Sequence, residues 1–450
     1  MKKLKLSTTH IIMMSFALVI LVGTLLLTLP ISSADGRWVP FEDALFTATT
    51  ATCVTGLVIV PTATAWSTFG HAVILLLIQT GGLGLITILA GLVLFFNRKM
   101  GLSDRILLQD AFNLSNLAGL SAFVKRVIIG TFIVEGIGAL LYMTVFVPEF
   151  GARGIWISVF NSVSAFCNAG IDIIGENSLC DYVTHPMVNL VTSGLIIVSG
   201  IGYIVWWDVI RIAKRMKKEG LRAVTRLTLH SKIALTATAI LLAAGTVLVF
   251  VFEKDNPDTI GGFTLPEKIL ASFFQSVTTR TAGFASVPQE NLTSPASFVC
   301  LFLMFVGGSP VGTAGGIKTV TVAVLAATVI SSIRNRDEVV LFGRNISKES
   351  CMKAVAVTSV SFAIMSVSSL LLLAFSGGSM MDVIYETVSA TATVGLSRNF
   401  TSTFGLASKL VITANMYLGR VGPISLAIAF KFKNKNTNMI KNPTEDVSIG

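Results

Sequence analysis

Charge is what this 450-residue chain has least of. Only 13% of its residues are Asp, Glu, Lys or Arg, against roughly 25% in a soluble domain, and an ordinary water-soluble fold is excluded. Cysteine is scarce: Cys53, Cys167, Cys180, Cys300 and Cys351 form no CxxC and have no histidine beside them. Neither a disulfide framework nor a metal site is implied. The four histidines (His10, His71, His185, His230) lie near the ends of apolar runs, and none stands at motif spacing from a carboxylate. A membrane-embedded enzyme would need a catalytic constellation that the chain lacks. The stretches between apolar runs are too short for a further folded domain, which excludes a fused soluble enzyme or nucleotide-binding domain.

What is present is apolar: 53% of residues are hydrophobic. Hydropathy marks spans near 11–30, 70–96, 124–147, 187–210, 232–252, 297–330, 354–376 and 406–430, each long enough for the ~20 residues that cross a bilayer. The apolar run in 1–30 exceeds a signal peptide's h-region and counts as the first span. The net charge of +10 is an orientation signal rather than a nucleic-acid signature. Of the 34 Lys+Arg, 25 fall on the segments that share a side with the amino terminus (1–10, 97–126, 211–232, 334–353, 431–450), whereas the opposite side holds 7 basic and 14 acidic residues. Both termini are therefore expected in the cytoplasm, and the acidic outer face enriches cations.

An internal period organises the whole chain. Short stretches between odd and even spans end in Thr52-Cys53-Val54-Thr55-Gly56, Phe166-Cys167-Asn168-Ala169-Gly170, Thr279-Arg280-Thr281-Ala282-Gly283 and Thr391-Ala392-Thr393-Val394-Gly395. The glycines are 114, 113 and 112 residues apart. Ten residues before each stands an aromatic (Phe46, Phe160, Phe273, Tyr385), and after each a large apolar residue (Leu57, Ile171, Phe284, Leu396). Six before, three of the four carry a hydroxyl (Thr50, Ser164, Ser389), Val277 departing. Further on, each following span has a Gly-rich break: Gly81-Gly82-Leu83-Gly84, Gly200-Ile201-Gly202, Gly307-Gly308-Ser309-Pro310 and Gly419-Arg420-Val421-Gly422. Stretches 41–52, 155–166, 267–279 and 381–392 are helix-like but too short to cross, so they enter and return on the outer side. The expected fold is an all-α integral membrane protein of four pseudo-symmetric M1–P–M2 repeats (1–105, 106–220, 221–340, 341–450), with eight transmembrane helices and four re-entrant pore loops around one central pore.

A cation that crosses must lose its water, and rings of backbone carbonyls with Thr or Ser hydroxyls beside them replace it, as in K⁺-channel filters. Glycine lets backbones approach one axis, and half-helices aim their partly negative C-terminal ends at it. One Gly near a Thr is as readily a helix-packing contact; four at constant spacing, each behind a half-length helix, favour the pore. Almost no charged side chain sits in the loops, which speaks against a carboxylate ring. Arg280 is the exception, expected to point away and brace the third loop.

These motifs, the four units and the stretch Gly307–Thr319 resemble the Trk/Ktr/HKT superfamily of K⁺ transport proteins, most nearly the bacterial Ktr membrane subunit, over the whole chain. The resemblance implies K⁺ uptake through a filter of the four five-residue motifs, with Gly56 going with K⁺ rather than Na⁺ selectivity. It implies a homodimer in the bacterial cell membrane, gated by a cytoplasmic nucleotide-binding regulator ring (KtrA type), with ATP or ADP on that separate subunit only. No cofactor is expected in this chain; K⁺ is the bound and transported ion and Na⁺ a possible activator. No nucleic acid is expected as a partner, and membrane lipid is. Na⁺ uptake and ion-coupled K⁺ symport stay open.

Gly307, Gly308, Pro310, Gly312, Gly315 and Gly316 rule out a continuous helix at 307–319. The family places an intramembrane gating loop there; a kinked packing helix is the alternative. Ile317 before Lys318 spoils a P-loop. Arg420, a charge at membrane depth, is a functional candidate, implied by the resemblance to be an electrostatic barrier below the filter. A buried ion pair is its alternative. Lys318 could end the gating loop, and Glu135 could serve a packing contact.

Overall fold

The computed structural model of the chain describes residues 8–95, 101, 106, 108–109 and 119–422. Among these, four helices are long and apolar enough to cross a bilayer: one with its spanning stretch at His10–Thr28, then Leu120–Phe150, Leu229–Glu253 and Lys348–Ser376. Their exposed large side chains, Leu18, Leu25, Phe132, Leu140, Ile240, Val247, Phe362 and Leu370 among them, form the lipid-facing surface of a multi-pass membrane protein. Their inner faces carry small residues that let the next helix approach closely. A Cβ on Gly138 would fall 2.5 Å from the Ser162 hydroxyl, and one on Gly245 would meet that of Ser276. In the last unit Ser369 and Thr387 share a hydrogen bond of 2.7 Å instead.

Behind each long helix lies a short one: Phe41–Cys53, Ala152–Cys167, Leu265–Thr278 and Met380–Thr391. At ~1.5 Å per residue they reach roughly 18–24 Å, short of the ~30 Å hydrocarbon core. Local chemistry starts them. Thr264 and Glu267 form a reciprocal capping box, with the Thr264 N–H 2.8 Å from the carboxylate, and the Ser379 hydroxyl accepts from Asp382 N–H at 3.2 Å. Phe46, Phe160 and Tyr385 are fully buried at the core. In the third unit Phe273 is half-buried and its neighbour Phe274 takes the core position.

The second spans differ from the continuous crossings that hydropathy marks. The first is split into Thr68–Leu83 and Leu85–Phe95 at Gly84 (φ 81°). The expected 187–210 ends at Gly200, and the chain turns by 97° through Gly202 (φ 90°) into Tyr203–Glu219. The third is Ser294–Phe305 and Thr319–Ile333 with thirteen non-helical residues between. The fourth, Leu406–Val421, stops at Gly422 (φ 90°). Only glycine enters such positive-φ conformations freely, so a glycine there ends a helix that its apolar neighbours would otherwise continue. The remainder of 406–430, both charged termini and most of 97–118 lie outside the described residues. A small antiparallel hairpin, Val339–Leu341 with Arg344–Ile346, joins the third and fourth units.

Candidate functional site

The loop after each short helix has one backbone design. The residue two before each glycine is left-handed: Val54 (φ 56°), Asn168 (59°), Thr281 (65°) and Thr393 (50°). The glycines follow at φ 98°, 64°, 82° and 101°. Alternating handedness turns successive N–H groups to one side and carbonyls to the other. A β-branched residue such as Val54 or Thr393 in this region carries strain of ~1–3 kcal/mol, which the surrounding packing must hold. The hydroxyls six before the glycines do so in three loops: Thr50 accepts from Gly56 N–H (3.0 Å), Ser389 from Gly395 N–H (3.0 Å) and Ser164 from Ile171 N–H (3.1 Å). Where Val277 breaks the column, Thr278 substitutes by donating to the Phe284 carbonyl at 2.6 Å.

The four glycines meet in a closed ring. A Cβ on Gly56 would fall 2.6 Å from the Ala169 carbonyl, one on Gly170 2.6 Å from that of Ala282, and one on Gly283 2.5 Å from that of Val394; a Cβ on Gly395 would meet the Thr55 carbonyl and close the circle. Each glycine thus abuts the carbonyl before the next. The residues of all four five-residue motifs, from Thr52 and Phe166 through Thr279 and Thr391, are buried there. The hydroxyls of Thr52, Thr55 and Thr393 and the Oδ1 of Asn168 have no hydrogen-bond partner. Buried oxygens left unpaired are costly.

Under the ring runs the non-helical stretch Val306–Lys318. Its ends are tied by Gly307 N–H to Ile317 O (2.9 Å) and Ile317 N–H to Phe305 O (3.2 Å). Its middle reaches the five-residue motifs: the Thr313 hydroxyl donates to Phe166 O (3.1 Å) and accepts from Asn168 Nδ2 (2.9 Å), and Gly315 N–H donates to the Thr281 hydroxyl (3.0 Å). A Cβ on Gly315 would collide with Thr393, and one on Gly312 would lie 2.8 Å from Ser199 O. Gly307, Gly308 and Gly316 line the approach where the two ends cross, and the Pro310 carbonyl packs on Gly202.

Arg420 bridges two units from below. Its guanidinium donates to Thr313 O at 2.8 Å, to Gly81 O and, at 3.5 Å, to Gly82 O. Among the described residues no carboxylate pairs with it, so the ion-pair alternative is set aside. Arg280 is buried away from solvent and donates to the Thr238 hydroxyl and Gly307 O, both at 3.4 Å. Lys318 folds back on its own loop, donating to Ala314 O (2.6 Å) and Gly315 O (3.4 Å). Glu135 stands behind the second loop, accepting from Gln79 Nε2 (3.4 Å) and the Cys167 thiol (3.9 Å). Sequence reasoning missed Thr313, whose only signal was its place between Gly312 and Gly315.

Residues 3–441 match the family model for the TrkH cation transport proteins. The chain belongs to this family. Among its TrkH-family relatives, it is 37% identical over 451 residues to Ktr system potassium uptake protein B of Bacillus subtilis, covering 100% of this chain and 98% of that one. It is 36% identical over 455 residues to potassium/sodium uptake protein NtpJ of Enterococcus hirae, with 99% and 98% covered. The crystal structure of the potassium transporter TrkH from Vibrio parahaemolyticus shares the fold, with TM-score 0.75 at 16% identity, covering 95% of this chain and 86% of that one.

Proposed function

We propose that the chain is the ion-translocating subunit of a Ktr-type potassium uptake system. The observation that carries the reading is the closed ring of Gly56, Gly170, Gly283 and Gly395 with its unpaired buried oxygens. Carbonyls and hydroxyls of the four motifs would replace the hydration shell of K⁺, the cargo, at one central pore. The unit is then an M1–P–M2 repeat occurring four times within the boundaries 1–105, 106–220, 221–340 and 341–450, with the second spans broken rather than straight. The names of the B. subtilis and E. hirae relatives support potassium as cargo.

In this reading the stretch 307–319 is the gate. It is held shut by Thr313, Gly315 and Arg420, with Arg280 and Lys318 bracing its two ends. Arg420 adds a positive field in the path of the ion. The charge distribution supports both termini on the cytoplasmic side of a bacterial cell membrane. There a ring of nucleotide-binding regulator subunits, carrying the ATP or ADP, would bias the loop, on a homodimer with one pore per protomer. Because one relative's name joins sodium to potassium, Na⁺ uptake or ion-coupled K⁺ symport is the second reading. Purified chain in liposomes, loaded with K⁺ and challenged with Rb⁺ or Na⁺, tests both. Rb⁺ uptake driven by the K⁺ gradient and excluding Na⁺ supports the first reading; equal Na⁺ uptake supports the second; no cation flux with or without a regulator overturns both.

A further inference from the structure

The helix Tyr203–Glu219 has two faces that the transport reading does not use. The turn through Gly202 sets the stretch Tyr203–Arg226, of which this helix is the first part, 97° from Pro186–Gly200, so it runs across the direction of that span. Val205, Asp208 and Ile212 are buried against the protein. Val209, Ala213 and Met216 recur at four- and three-residue spacing on a second face, and all are exposed. Arg211, Lys214, Arg215, Lys217 and Lys218 make the third face, also exposed, and Arg222 and Arg226 extend it. The helix is anchored. Asp208 accepts from Thr228 N–H (2.9 Å) and hydroxyl (2.8 Å) at the start of Leu229–Glu253, and it pairs with Arg211. At its near end the Arg126 guanidinium sits 5.9 Å over the Trp207 ring.

An exposed helix lying across that span, apolar on one open face and basic on the other, matches the boundary between acyl chains and headgroups on both faces at once. We propose that Tyr203–Glu219 is an interfacial helix whose Lys214, Arg215, Lys217 and Lys218 bind anionic phospholipid headgroups, while Val209, Ala213 and Met216 enter the acyl boundary. Charge complementarity selects the lipid class, since a cluster of this size beside a span suits an anionic leaflet. The inference rests on the membrane topology proposed above and not on the identity of the cargo.

The test uses the full chain in nanodiscs of phosphatidylcholine alone or of equal parts phosphatidylcholine and phosphatidylglycerol. Both leaflets then have one composition, so the result does not depend on which side faces the cytoplasm, and no ion flux is read. A nitroxide on Ala213→Cys should report acyl-boundary depth by oxygen and nickel-chelate collision, and one on Arg215→Cys an aqueous site, with Ala213→Cys slower in the anionic disc. Native mass spectrometry should find phosphatidylglycerol retained over phosphatidylcholine. Changing Lys214, Arg215, Lys217 and Lys218 to Gln should cut that retention by about tenfold or more, as one basic residue is worth about fivefold near an anionic surface. If the fourfold variant does not fold, Lys217→Gln with Lys218→Gln in the last turn should cut it by about threefold or more, half the charges giving half the free energy. Aqueous depth at Ala213→Cys in both discs, or retention unchanged by the variants, overturns the proposal and leaves the face to a protein such as the regulator.

Discussion

The ring of glycine loops and the layer just beneath it are built from the same four units, yet one keeps fourfold regularity and the other abandons it. In the ring, each glycine meets the carbonyl before the next, and the left-handed residue recurs in every copy. In the layer below, the positions equivalent to Arg420 carry Gly82, Gly200 and Gly308, and a single irregular stretch, Val306–Lys318, touches the second loop at Phe166 and Asn168, the third at Thr281 and the fourth at Thr393. In the proposed reading, regularity serves an ion that must be surrounded from every side at once. A gate, in the same reading, needs one movable element, and four copies of a thirteen-residue loop could not share one axis. The lower layer is therefore where sequence departs from the repeat, and the ring is where it cannot.

The largest expected effect comes from breaking the ring. At Gly56, φ is 98° and a Cβ would stand 2.6 Å from the Ala169 carbonyl, which leaves no room for a side chain. Gly56→Ser should lower the preference for Rb⁺ over Na⁺ by about fivefold or more, matching the low end of the strain a side chain adds there (~1–3 kcal/mol). An unchanged uptake ratio at normal expression would remove Gly56 from the filter.

Next is the lower layer. Deleting Gly312–Gly316 removes the Thr313 and Gly315 contacts to the five-residue motifs, and on the proposed reading Rb⁺ flux should rise while its dependence on a regulator falls. Reduced flux from well-folded protein would make the stretch a structural strut. Arg420→Ala should have a smaller effect of the same sign, with ion preference kept, because the ring above is untouched. Its partners are carbonyls, so the ~3–5 kcal/mol cost of stranding a buried carboxylate is absent. Loss of charge-assisted hydrogen bonds, ~1.5–3 kcal/mol each at most, should lower the melting temperature without preventing folding. Stable protein with slower flux would defeat the barrier role.

The glycines of the ring were legible because a demand on the backbone excludes every other residue and so shows in composition four times over. The hydroxyl column was legible as a pattern but not as a pin on the loop N–H groups. The left-handed column was not legible at all. Val54, Asn168, Thr281 and Thr393 share a conformation, yet three of them are β-branched residues that ordinarily avoid it. The breaks at Gly84 and Gly202 stood in plain view as glycines, yet hydropathy runs through them because their neighbours are apolar; the turn is a matter of φ, which a sum over side chains does not carry. Arg420 was conspicuous as a charge, while its carbonyl partners are the same in every residue and leave no mark in sequence. The hairpin at Val339–Ile346 hid inside a charged connector, its turn carried by Phe342 and Gly343 at φ 50° and 71°.

The smallest expected effect tests whether asymmetry also reaches the other face of the ring. Two residues past the glycines stand Val58, Asp172, Ala285 and Ser397, so at this position one unit alone carries an acid, on what the proposed topology makes the outer side. Burial is the main cause that pushes the Asp172 carboxyl up from 3.8 to about 6, against hydrogen bonds from Ser178, Ile174 and Gly175 that act to lower it. The group is therefore neutral below that value and charged above it. Folded protein holds this proton more tightly than the unfolded chain, so the contribution of Asp172 to stability declines as pH rises from 3.8 to about 6 and is level beyond. Transport should move the other way. As the carboxylate forms, it adds negative potential on that side and raises the local cation concentration, by about twofold for one partly screened charge. Uptake at low external K⁺ should climb with a midpoint near the pKa, and Asp172→Asn should stay at the low-pH level throughout while melting higher at neutral pH. Matching profiles for the two proteins would confine the asymmetry to the layer under the ring.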